Sequence, residues 1–110
     1  MNLDKETQEK IQELQILEQN LQQITLQEQA FQQEIHETDS ALSEIEKTSE
    51  DVYKIVGNIM IKIGKADISK ELKEKKDILS LRLNSIEKQS SSLREKTEKL
   101  REEVVKSMKA

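Results

Sequence analysis

The chain has 110 residues, of which 36% are charged and only two, Phe31 and Tyr53, are aromatic. A compact globular core normally draws on aromatic side chains, so this composition argues against one and favours long helices or coiled coils. The absence of cysteine excludes a disulfide framework and a thiolate metal site. The net charge of -4 argues against a primary role in binding nucleic acid. No apolar run is long enough to span a membrane and no signal peptide is recognisable, so we expect a cytoplasmic protein.

The first segment, residues 1–47, is predicted to be one helix. Its apolar residues recur at alternating steps of three and four, which is the spacing of a coiled-coil seam. Neither proline nor glycine interrupts it, but two seam positions are polar. The predicted seam consists of Leu14, Leu17, Leu21, Ile24, Glu28, Phe31, Ile35, Thr38, Leu42 and Ile45.

The last segment, residues 67–109, is predicted to be a second helix with a more polar seam. Gly64 supplies a break before it, and Asp67 is a candidate N-cap. The predicted seam consists of Leu72, Lys76, Leu79, Leu83, Ile86, Ser90, Leu93, Thr97, Leu100 and Val104.

The middle segment, residues 52–63, differs in kind. Val52–Val56 and Ile59–Ile63 are short runs rich in β-branched residues, and Gly57-Asn58 between them suits a two-residue turn of type I′ or II′. The segment is therefore predicted to be a β-hairpin that joins the two helices.

A hairpin connection makes the two helices antiparallel neighbours. If Ile45 is placed opposite Leu72, the two heptad patterns stay in phase as far as Leu14 opposite Val104. The expected fold is mainly α, a long antiparallel two-helix coiled coil joined by one β-hairpin, in a single domain that covers residues 1–110.

An isolated two-stranded hairpin is marginally stable in water, and its unpaired edges invite other strands. Because most of its side chains are aliphatic, we expect it to pair with hairpins of other chains in an inter-subunit β-barrel. The residues predicted to mediate oligomerisation are Val52, Tyr53, Ile55, Val56, Ile59, Ile61 and Ile63.

Towards the free ends of the helices the seam becomes polar and apolar residues appear outside it. Helix ends open at little cost, and a flexible methionine suits adaptable contacts. These ends are predicted to bind apolar segments of unfolded polypeptides. The candidate residues are Leu3, Ile11, Leu14, Val104, Val105 and Met108.

Nothing in the sequence predicts an enzyme or a cofactor. There is no phosphate-binding glycine loop and no metal-ligand spacing. His36 follows a seam position and is expected to face solvent, and the cluster Lys73–Lys76 reads as a solvated helix face. The main alternative function is a structural coiled-coil scaffold without chaperone activity, although a plain scaffold needs no aliphatic hairpin midway.

The order of these elements resembles the β class of prefoldin subunits. The most specific part is Val52-Tyr53-Lys54-Ile55-Val56-Gly57 followed by Ile59-Met60-Ile61-Lys62, and Leu81–Gln89 resembles part of that family's second helix. The single hairpin favours the β class over the α class, which has two. A compact complex with a single kind of β-class subunit, as the resemblance implies, suits an archaeal source.

The resemblance implies a hexamer of two α-class and four β-class subunits whose hairpins form a double barrel. It also implies that the tips of the coiled coils hold unfolded polypeptides and deliver them to a group II chaperonin.

Overall fold

The computed structural model describes residues 4–109 and contains four elements. Helix α1 spans Lys5–Lys47, strand β1 spans Val52–Val56, strand β2 spans Ile59–Ile63, and helix α2 spans Lys65–Lys109. This order is the helix–hairpin–helix arrangement predicted from the sequence.

The burial pattern of both helices follows the predicted heptads. Every predicted seam position is buried or half-buried, and most positions between them are exposed. The same spacing extends to Thr7 and Lys10 in α1 and to Ser107 in α2. The prediction of a two-helix coiled coil is therefore confirmed. The described chain divides into two compact units.

The terminal unit consists of residues 4–29 and 84–109. Lys10 forms an ion pair with Glu103 at 3.9 Å, and Glu18 forms one with Arg101 at 3.2 Å. Leu100 is only 8% exposed, and burial of a side chain of this size contributes roughly 1.5–3 kcal/mol.

A polar seam residue in this unit is accommodated by its own helix. Thr97 is 2% exposed, and its hydroxyl donates to the Leu93 carbonyl oxygen at 2.7 Å. Glu28 has no such partner for its buried Oε1 atom, and it lines a groove with Ser90 and Arg94. Ser90, which the predicted register places opposite Glu28, therefore lies close to it.

The hairpin unit consists of residues 30–83. Its helix segments are tied by an ion pair of 2.6 Å between Lys76 Nζ and Asp39 Oδ1. Lys76 occupies a seam position, and the long aliphatic stem of a lysine can lie along apolar surface while its ammonium reaches outward. Thr38 donates its hydroxyl proton to the Glu34 carbonyl oxygen at 2.8 Å, as Thr97 does in the other unit.

The hairpin has the register expected from the sequence. Val52 pairs with Ile63, Lys54 with Ile61, and Val56 with Ile59, in antiparallel strands. Gly57 has a φ of 60°, whereas no non-glycine residue of the described chain has a positive φ. A type I′ turn needs positive φ at both central residues and a type II′ turn only at the first, so these signs select type II′.

The start of α2 corrects one prediction. The helix begins at Lys65 rather than at residue 67, and the Ile68 N–H donates to the Gly64 carbonyl oxygen at 3.0 Å. Gly64 is therefore the N-cap, and Asp67 lies in the first turn. A carboxylate there still interacts favourably with the helix dipole.

The start of α1 has a side-chain cap that the sequence analysis did not predict. The Thr7 N–H donates to Asp4 Oδ1 at 2.7 Å. Hydrogen bonds from the Thr7 side chain and backbone hold the pKa of the exposed Asp4 below its ordinary value. Asp4 therefore remains an ionised cap throughout the neutral range.

The coiled-coil pairing of the terminal unit can be tested by crosslinking. Leu17 and Leu100 line the same groove, and the chain has no native cysteine. The variant Leu17→Cys/Leu100→Cys should form a disulfide within one chain on mild oxidation, because facing seam positions approach closely. Non-reducing denaturing electrophoresis should show a faster monomer band.

Leu17→Cys/Val105→Cys is the matched control for this pair, since Val105 is exposed and lies outside the seam. Only intermolecular crosslinks in the Leu17/Leu100 variant, or equal intramolecular crosslinking in both variants, would contradict the pairing.

Candidate interaction surfaces

The hairpin exposes apolar side chains on both of its faces. On the face with Tyr53, the side chains of Ile55 and Met60 are 71% and 65% exposed. On the opposite face, Val52 and Ile63 are half-buried, while the three aliphatic residues nearer the turn are exposed. Those three residues are Val56, Ile59 and Ile61.

Two lysines of the hairpin form ion pairs. Lys54 forms an ion pair with Glu71 of α2, which ties β1 to the base of that helix. The Nζ atom of Lys62 lies 3.4 Å from Oδ2 of Asp51, which precedes β1. Neither contact covers the aliphatic residues near the turn, so these residues remain available to a partner.

The predicted binding residues at the helix ends are not equally accessible. Val105 and Met108 are 43% and 46% exposed, and Ile11 and Leu14 are half-buried. Val104 is only 6% exposed, because it belongs to the seam. A client would reach Val104 only if the two helix ends separated. Leu3 lies outside the described residues.

Ile16, an apolar residue outside the predicted seam, is exposed on α1 within the terminal unit. The structure also shows a feature that the sequence analysis missed. Two grooves run beside the seam of this unit and share Lys96 in their linings. The sequence does place Lys96 and Lys99 on one flank of the seam of α2. That they line a groove could be recognised only with the partner helix, because α1 supplies the other side of the groove.

Residues 4–109 hold no group of three or more histidine, cysteine, aspartate or glutamate side chains that could bind a metal. Within the same range, neither helix is long and apolar enough to cross a membrane. His36 is exposed, as predicted.

A coiled-coil pair of helices joined by a hairpin with exposed apolar faces defines a class of interaction protein whose hairpin and helix ends are available to partners. Within this class, the chain belongs to the prefoldin subunit family, whose model matches residues 8–110. Prefoldin subunits are components of a chaperone.

Individual relatives agree with this assignment. The chain is 40% identical over 110 residues to the prefoldin β subunit of Thermococcus gammatolerans, covering 98% of this chain and 94% of that protein. It is 34% identical to the prefoldin β subunit of Archaeoglobus fulgidus, over 86% of this chain and 83% of that protein.

The fold is similar to the crystal structure of the prefoldin β subunit from Thermococcus strain KS-1. The TM-score is 0.86 at 36% sequence identity, and the match covers 94% of this chain and 92% of that chain. The resemblance to β-class prefoldin subunits predicted from the sequence is confirmed.

Proposed function

We propose that the chain is a subunit of a holdase chaperone that binds unfolded or nascent polypeptides at its helix ends and passes them to a group II chaperonin. The observation that carries this proposal is the pair of separate apolar surfaces. One lies on the hairpin, and the other includes Val105 and Met108 near the end of α2. Two such surfaces on one chain suit a protein that assembles through the first and binds clients through the second.

The hairpin supports assembly for a physical reason. Six of its large apolar side chains are exposed, and two strands alone leave unpaired edges. Pairing with hairpins of other subunits would cover the apolar faces and complete the backbone hydrogen bonds. The proposed partners are an α-class prefoldin subunit and further copies of this chain, in a hexamer of two α-class and four β-class subunits in the cytoplasm.

The helix ends support client binding through weak contacts that add up. Each exposed aliphatic or methionine side chain offers a small apolar area, which selects for exposed apolar segments rather than for one sequence. When several ends touch one polypeptide, later contacts form at a high effective concentration, so weak sites together bind tightly.

The proposal is tested by co-expressing the chain with an α-class prefoldin subunit and measuring the mass of the purified complex. The complex should suppress the aggregation of a chemically denatured model protein and release it to a group II chaperonin for refolding. Light scattering follows the first step and recovered enzyme activity the second. A stable complex without any suppression would support the scaffold function instead.

A further inference from the structure

The flank of the terminal unit that carries Lys96 combines apolar and basic side chains. One groove, of about 420 Å³, is lined by seam residues Leu17 and Leu100 together with Lys10, Lys96 and Lys99. The other, of about 370 Å³, is lined by Ile24 and Leu93 together with Lys88 and Lys96. Because Lys96 lines both, the two grooves are adjacent at this side chain, and we call the two together the lysine groove.

Three lysines of this groove differ from the fourth in their ion pairing. Lys88, Lys96 and Lys99 are exposed and form no ion pair within residues 4–109. Lys10 differs from them, since its ammonium lies within 4 Å of carboxylate oxygens of Glu6 and Glu103. The lining of the groove contains two acidic residues, Glu103 and Glu13.

The opposite flank has a different charge arrangement. There, Arg101 is paired with both Glu18 and Glu98. Arg94, Lys106 and Lys109 also form no ion pair within residues 4–109, so the lysine groove is distinguished by lysines that line it together with apolar seam residues, and not by unpaired charge alone. An occupant of the lysine groove would gain from apolar contacts with its lining and from carboxylates that face its rim.

We propose that the lysine groove binds extended polypeptide segments in which apolar side chains are interspersed with acidic ones. This inference rests on the proposed holdase function and names the class of client that it favours. The apolar lining favours a peptide over a nucleic acid, whose phosphates would use the lysines alone. Clients with basic residues beside their apolar side chains would be disfavoured at this site.

The test measures fluorescence anisotropy of two labelled peptides in the presence of the intact complex. In one peptide leucines alternate with glutamates, and in the other they alternate with lysines. The glutamate peptide should bind more tightly, and its affinity should fall as salt concentration rises. In complexes that carry Lys96→Glu/Lys99→Glu its affinity should fall by about 2- to 30-fold, the loss expected for two exposed ion pairs.

The matched control is Lys73→Glu/Lys75→Glu, which makes the same charge change at two exposed lysines of the hairpin unit that also lack ion pairs. It should leave binding of the glutamate peptide unchanged. Complex mass and circular dichroism should be the same for both variants, because all four lysines are on the surface.

The remaining outcomes separate this inference from the holdase function. Equal binding of both peptides, unaffected by Lys96→Glu/Lys99→Glu, would overturn the groove while suppression of aggregation persists. Absence of both peptide binding and suppression would overturn the proposed function and the groove with it. Tighter binding of a single-stranded RNA oligonucleotide than of the glutamate peptide, lost in the same variant, would make the groove a nucleic-acid surface and overturn the proposal.

Discussion

Replacing Ile59 with aspartate should dissociate the proposed hexamer into smaller species while the helices stay folded. Ile59 is 63% exposed in the single chain and pairs with Val56 across the hairpin. If assembly buries this position, the aspartate carboxylate would be surrounded by aliphatic groups without a partner. An uncompensated buried charge costs roughly 3–5 kcal/mol, and the cost recurs in every copy of the chain. Analytical ultracentrifugation gives the mass, and circular dichroism gives the helix content.

Ile59 is a sharper choice for this test than Ile61. Ile61 pairs with Lys54, whose ammonium could neutralise an introduced aspartate. Asn58→Asp is the matched control, because it adds the same charge at the exposed turn, one residue away. It should leave the complex intact. An unchanged complex in Ile59→Asp, or dissociation of both variants, would contradict burial of this hairpin face between subunits.

The fold was predictable because its two signals are local and periodic. A heptad spacing sustained over ten positions in each helix leaves few alternatives, and Gly57-Asn58 between two β-rich runs fixes the hairpin register. The choice between turn types depended on the φ of Asn58, which the sequence does not determine. Gly57 suits the first turn position of either type.

Two details that the sequence did not predict depend on how the residues are placed in three dimensions. Lys76 is a weak seam residue by itself, and only the position of Asp39 shows how its charge is satisfied. Asp67 has the right residue type for an N-cap, but the helix starts earlier, at the position where Gly64 supplies the first accepting carbonyl. In both cases the outcome depends on three-dimensional geometry, which sequence spacing predicts only to within a residue or two.

The candidate binding residues were predicted less sharply than the fold. The sequence grouped Val104 with Val105 and Met108, although neighbouring residues on a helix point in different directions. The structure separates them, with Val104 in the seam and the other two exposed. Removing the end of α2 from Val104 onward would therefore disturb coiled-coil packing as well as client contacts, and single side chains make a cleaner test.

Val105→Ser/Met108→Ser should weaken the holding of unfolded clients without affecting assembly. Both side chains are exposed, so the substitutions remove apolar area without leaving a cavity in the seam. Each side chain is worth at most about 1.5–3 kcal/mol when fully buried, and partial coverage at a helix end reduces this to ~1 kcal/mol per chain. A client that touches several chains loses this amount at each. Light scattering should therefore show clearly less suppression of aggregation at equal concentrations of complex.

Ile78→Ser/Leu81→Ser is the matched control, since it removes a comparable exposed apolar area from α2 within the hairpin unit. It should leave suppression unchanged, and the mass of both complexes should equal that of the unmodified one. Equal loss in the two variants would mean that clients respond to exposed apolar area anywhere on α2. Full suppression by Val105→Ser/Met108→Ser would move the client site away from these two residues, either to the lysine groove or to the partner subunits. The glutamate-peptide measurement distinguishes these locations, because binding that depends on Lys96 and Lys99 identifies the groove.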